Sequence, residues 1–174
     1  MKRIVAAALL SAGLAACATE PFPPAPPGPP PGPPAFRAAD FAWSTGRGTA
    51  SIEGQVDYAP GRARYGCAGQ PVILTPDTPF SRWRIEQLYG STDRAAVPVA
   101  VVRGRQAGKP SDDYSSYVRR ATCDSHNHFR FDDLPPGGWF IIVAVQPAAA
   151  GAEAVALMRR VQTRPGAVRA VTVG

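Results

Sequence analysis

Trp139–Val145 reads Trp-Phe-Ile-Ile-Val-Ala-Val, a run with no polar side chain. A β-strand sends alternate side chains to opposite faces, so a strand of this composition needs apolar cover on both sides. It is expected at the centre of a sheet. One face then packs in a core, and Phe140, Ile142 and Ala144 on the other face need a second cover or form an apolar patch.

The segments around it have strand periodicity. In Thr49–Tyr58, Ile52, Gly54, Val56 and Tyr58 share one side, and Ser51, Glu53, Gln55 and Asp57 the other. Gln70–Pro76, Val118–Cys123, His128–Phe131, Ala154–Val161 and Val168–Val173 complete the set, the last two joined by a turn at Arg164-Pro165-Gly166. Short strands separated by turn signals predict an all-β fold, a seven-stranded antiparallel β-sandwich. The insertion Thr78–Tyr117 breaks the spacing. Ser81–Gly90 suits one short helix with Ser81 as N-cap, Ala95–Val102 an edge strand because of Pro98, and 103–116 a polar loop. Phe80, Trp83, Tyr89 and Val99 make this insertion the nearest cover for the outer face of Trp139–Val145, with a partner protein as the alternative.

The N-terminal third is of another kind. Met1-Lys2-Arg3 precedes the apolar run Ile4–Ala16, which is too short to span a bilayer and reads as a secretory signal. It ends in Leu14-Ala15-Ala16-Cys17, which resembles the lipobox of bacterial lipoproteins. The resemblance implies cleavage before Cys17 and lipid on its sulfur and amino group, and Ala18 after it implies outer-membrane sorting. Pro21–Pro34 holds ten prolines. Proline lacks an N–H and fixes φ, so this stretch predicts an extended spacer at about 3.1 Å per residue. The expected organisation is residues 1–17 as signal, 18–47 as Pro-rich linker and 48–174 as the sandwich. The expected location is the outer membrane, on its periplasmic face, with surface exposure as the alternative.

Removing Lys2 and Arg3 with the signal leaves 17 basic residues against 13 acidic, scattered without a block of five. This is a solvated surface weakly drawn to anionic lipid or cell-wall polymer, and no nucleic-acid motif accompanies it. Export puts Cys67 and Cys123 in an oxidising compartment, where an even pair reads as a disulfide.

Ser51–Val56, Gly69–Pro76, Thr122-Cys123-Asp124 and Phe129–Val143 follow one another in a recognisable order. They resemble the carboxypeptidase regulatory-like domain, a prealbumin-type seven-stranded sandwich with the pattern T-D-x-x-G-x-F-x-F-x-x-L-P-x-G-x-Y. The resemblance implies a non-catalytic module. It also bears on Cys123-Asp-Ser-His-Asn-His-Phe129, whose two histidines, aspartate and cysteine suggest metal at first sight. Asn127 stands at the motif's turn glycine, and Asn tolerates left-handed backbone best among non-glycine residues. Asp124 can hydrogen-bond back onto the turn, while Phe129 and Phe131 point into the core. Zinc needs three or four convergent ligands, and His126 and His128 are the chain's only histidines. A turn is therefore expected, with no metal or cofactor.

Trp139 stands where the resemblance places a core aromatic. Trp43, Trp83 and Phe140 are the candidate binding-surface aromatics. Asp132-Asp133 reads as turn chemistry, since neighbouring strand positions face opposite ways. No Gly-x-Ser-x-Gly occurs, and the Tyr-Arg-Gly-Ser of prealbumin-like hydrolases is replaced by Val171-Thr172-Val173-Gly174. The reading is a lipid-anchored, non-enzymatic envelope protein displaying a sandwich to an envelope protein or cell-wall polymer. A prealbumin-like hydrolase and a periplasmic carbohydrate-binding module are the alternatives.

Overall fold

The computed structural model describes residues 32–105, 107, 112–149 and 151–174. The signal segment, Cys17 and the linker as far as Pro31 lie outside the described residues.

Two sheets pack face to face. The smaller has the order β6-β1-β9, from β6 (His128–Leu134), β1 (Ala50–Val56) and β9 (Val168–Val173). The larger has the order β4-β8-β7-β3-β5, from β4 (Arg94–Pro98), β8 (Val155–Thr163), β7 (Gly137–Pro147), β3 (Pro71–Pro76) and β5 (Arg119–Thr122). The two-residue β2 (Tyr65–Gly66) pairs with the end of β7. The architecture is the expected all-β sandwich, but among the described residues it has nine strands rather than seven: β2 is unforeseen, and β4 is the expected edge strand, which ends at Pro98 because Val99–Gly104 is helical rather than extended. Pairing is antiparallel with one correction: β1 and β9 run parallel, from Ser51↔Val168 to Val56↔Val173. The chain passes from the larger to the smaller sheet between β8 and β9. The direction of β9 is thus set by a crossing between sheets and not by a hairpin.

β7 lies at the centre of the larger sheet, between β8 and β3. Its inner residues Trp139, Ile141, Val143 and Val145 are almost fully buried against Ile52, Phe129 and Phe131 of the smaller sheet. Gly54 makes room for this packing, because a Cβ there would lie 1.9 Å from Cζ of Phe129, its cross-strand neighbour. The other face of β7 has its own core. Phe140 is 0% exposed and sits with Met158, Ala156, Ile85 and Tyr89. Phe140 is therefore not a binding-surface residue, and that expectation is corrected: the insertion covers it, so no partner is needed there.

The cover is α2 (Pro79–Tyr89), β4 and α3 (Val99–Gly104). Thr78, not Ser81, caps α2. The Thr78 hydroxyl accepts from Ser81 N at 3.2 Å, Ser81 Oγ accepts from Thr78 N at 2.8 Å, and Pro79 fills the first helical position. Gly90, at φ 73°, ends the helix. The helix is tied down by the buried carboxylate of Asp77, which accepts from Arg82 at 2.9 Å and from Arg160 of β8 at 2.6 Å.

The described part of the expected linker is not a free spacer. The short α1 (Ala38–Phe41) buries Phe41 completely. Phe36 and Phe41 stack with Phe80, Tyr114 and Tyr117 at centroid distances of 5.1 to 6.4 Å. Tyr114 and Tyr117 belong to a 3-10 helix (Asp112–Tyr117) where a polar loop was expected. Packed structure thus begins before Gly48, because apolar aromatics at positions 36, 41 and 43 interrupt the polar character of the segment.

Candidate binding site

The turn at 124–128 forms as a hydrogen-bonded loop. Asn127 has φ 65°. Its side-chain oxygen also accepts from Cys67 N at 2.9 Å, so it does more than a glycine could. Asp124 Oδ1 accepts from the backbone N–H groups of His126 at 2.8 Å and His128 at 2.7 Å. Cys67 and Cys123 are bonded as a disulfide, Cα to Cα 5.7 Å, and both are buried. Among the described residues no group of three or more potential metal ligands converges.

The His128 N–H, with that of His126 beside it, holds the Asp124 carboxyl below the ordinary carboxylate range. A depressed carboxyl contributes stability that is fully present above its unfolded value of about 3.9 and is lost as pH falls through the folded value. Between pH 5 and pH 2, the melting temperature of the parent is therefore expected to fall more steeply than that of Asp124→Asn. Parallel pH profiles from thermal denaturation would refute this.

Beside this turn the outer face of the three-stranded sheet forms an open groove of about 660 Å³. Strand register sets its layout. Ala170, Glu53 and Arg130 stand side by side across β9, β1 and β6, and Thr172, Gln55 and His128 form the next row. The first row is internally satisfied. Arg130 Nε donates to Asp132 at 2.8 and 2.9 Å and its Nη1 pairs with Glu53. The Asp132 carboxylate, with Glu53 behind it, holds the guanidinium above its ordinary value. The second row differs. Among the described residues, the side chains of Gln55 and Thr172 make no hydrogen bond, and the His128 ring only approaches Asp124 at 4.0 Å. Thr122 and Asp124 close the end of the groove, and Ala170, being small, leaves its floor low.

A β-bulge shapes the other end. Ala50 pairs with Leu134 and Ile52 with Phe131, so Ser51 faces both Asp132 and Asp133. Asp133 takes φ 54°. Both aspartates are exposed, which corrects the expectation that they face opposite ways. Asp132, two residues from Arg130 on the same strand face, accepts from its guanidinium.

No family model matches the chain, and no curated protein does. Among solved structures, a "putative carbohydrate binding protein" from Pseudomonas aeruginosa has a similar fold, with a TM-score of 0.60 at 21% identity. The likeness covers 80% of this chain and 97% of the other.

The expected aromatics do not assemble at the groove. Trp43 lies edge-on to Trp139 at 5.0 Å, in space that a Cβ on Gly137 would fill. It caps the main core and carries Arg119 nearby, whose guanidinium lies 5.7 Å from the Trp139 ring. Trp83 is half-buried on α2, and Phe140 is in the second core. Trp139 donates from Nε1 to the Thr163 hydroxyl at 3.1 Å, which satisfies its one polar atom. The groove residues Gln55, His128 and Thr172 were missed. Each was legible as an outward strand position, but only the register between strands puts them in a row. Among the described residues no helix is long and apolar enough to cross a membrane.

Proposed function

We propose that the chain is a non-catalytic, lipid-anchored envelope protein that presents the outer face of its three-stranded sheet to carbohydrate. The observation that carries this reading is the row Thr172–Gln55–His128: an amide, a hydroxyl and an imidazole, side by side, in a groove and not engaged with one another. Such groups can both donate to and accept from sugar hydroxyls, and here they are exposed and not engaged with the protein among the described residues. The neighbouring Glu53–Arg130–Asp132 row is satisfied internally and fixes the shape of the groove. The Pseudomonas aeruginosa protein of similar fold bears a name that points to carbohydrate, which supports the same ligand class. The lipobox resemblance at Cys17 supports an anchor in the outer membrane, and the motif at 122–143 supports reading the sandwich as a divergent carboxypeptidase regulatory-like domain. A polysaccharide of the cell wall fits such a location.

The test is an NMR titration of the full chain, carrying Cys17→Ala to block lipidation, with soluble peptidoglycan fragments and with chitooligosaccharides. Amide shifts are expected in β1, β6 and β9, including the Gln55 side-chain NH2. The double variant Gln55→Ala/Thr172→Ala is expected to bind about tenfold more weakly at unchanged melting temperature, since each lost hydrogen bond contributes roughly 0.5–1.5 kcal/mol. Shifts confined to Trp83 or Trp43, or none with either glycan, would rule the reading out.

A further inference from the structure

A second feature lies at the β4 edge of the larger sheet, where the two sheets differ in width. The smaller sheet covers the middle of the larger one and leaves β4 uncovered. On the inward side of β4, Arg94 and Ala96 are exposed, while Ala95 and Val97, on its outward side, pack in the second core. Arg94 stands directly opposite Arg159 of β8. Arg159 shares a face with Leu157 and Val161, both buried, yet is itself only half-buried.

Like charges directly opposite on neighbouring strands destabilise a sheet. Carboxylates relieve that cost elsewhere in the molecule: Asp77 serves Arg82 and Arg160, and Glu53 and Asp132 serve Arg130. Among the described residues, neither Arg94 nor Arg159 has an ion pair or a side-chain hydrogen bond. The flank therefore holds two arginines at directly opposite strand positions, on Cα atoms about 4.5–5.5 Å apart by strand geometry, neither of them paired with a carboxylate among the described residues. A carboxylate would occupy one fork. A tetrahedral dianion has oxygens enough for both, and planar forks match phosphate oxygens in pairs.

We infer that Arg94 and Arg159 form a binding site for a phosphate group, either free phosphate or the phosphate monoester of a lipid headgroup. The site lies apart from the proposed carbohydrate groove and does not depend on it.

The test follows the arginine Nε–H resonances of the full chain by NMR at constant ionic strength. One arm adds inorganic phosphate, and the other adds phosphatidylcholine vesicles with or without phosphatidic acid. The Arg94 and Arg159 signals are expected to move while that of Arg119, engaged with backbone carbonyls, stays. This readout needs no variant and so no assumption about folding. Arg94→Gln and Arg159→Gln are each expected to weaken binding at least tenfold, and Arg159→Lys to weaken it less, because the charge remains and the fork is lost. A response to free phosphate alone identifies a soluble ligand, and a response only to vesicles with phosphatidic acid identifies a headgroup. The inference is overturned if neither arm moves the two signals, or if binding survives both glutamine variants. It is equally overturned if Arg94→Gln only makes the chain aggregate without any phosphate effect, which would make Arg94 a guard of the β4 edge.

Discussion

Phe140→Ala is expected to lower the unfolding free energy by about 3–5 kcal/mol, the range for deleting a fully buried aromatic ring. The ring contributes to the core that β7 shares with α2 and β8, so its loss should loosen the insertion and the larger sheet together. Trp83→Ala, at a half-buried site on α2, is the comparison and should cost less. Urea denaturation of both variants decides the matter. If Phe140→Ala left the midpoint unchanged, the second core would not be the cover that β7 requires.

Replacing both bonded cysteines, Cys67→Ala with Cys123→Ala, is expected to cost about 4 kcal/mol in the chain-entropy model. The cross-link joins positions 56 apart and closes a loop containing β3, the whole insertion and β5. Alanine leaves no buried hydroxyl, so the loss reports the cross-link and little else. At about 2–4 °C per kcal/mol for a domain near this size, the melting temperature should fall on the order of 10 °C. A reducing agent should lower the parent's melting temperature by a similar amount and leave the double variant unmoved. Equal sensitivity of the two proteins to reduction would show that the bond does not set stability.

Much of the fold was legible because strand periodicity is local. Ile52, Gly54 and Val56 alternate with Glu53 and Gln55 in the sequence, and their burial alternates in the same way. The turn glycine position held by Asn127 was legible for the same reason, since the requirement for positive φ falls on one residue. What escaped depends on distant pairing. Nothing within Val168–Val173 says that it lies parallel to β1, and nothing in Asp132-Asp133 says that both oppose Ser51. The helix cap was a different kind of miss. Thr78 and Ser81 are both suited to an N-cap, and only their reciprocal hydrogen bonds show that Thr78 caps the helix while Ser81 lies inside its first turn. The groove combined both difficulties: its residue types are ordinary for a solvated strand face, and only the alignment of three strands sets Gln55 between Thr172 and His128.

The aromatic cluster around Phe41 has a mechanical consequence. Tyr114 in that cluster bonds to the hydroxyl of Thr75, which lies on the back of the larger sheet, while the groove opens on the front of the smaller one. A pull transmitted through the residues just before Ala38 would therefore load the rear of the sandwich, where Phe36 and Phe41 are gripped by rings from the insertion. The first contacts to yield would be those rings, and the three strands that line the groove would keep their alignment until the grip had failed.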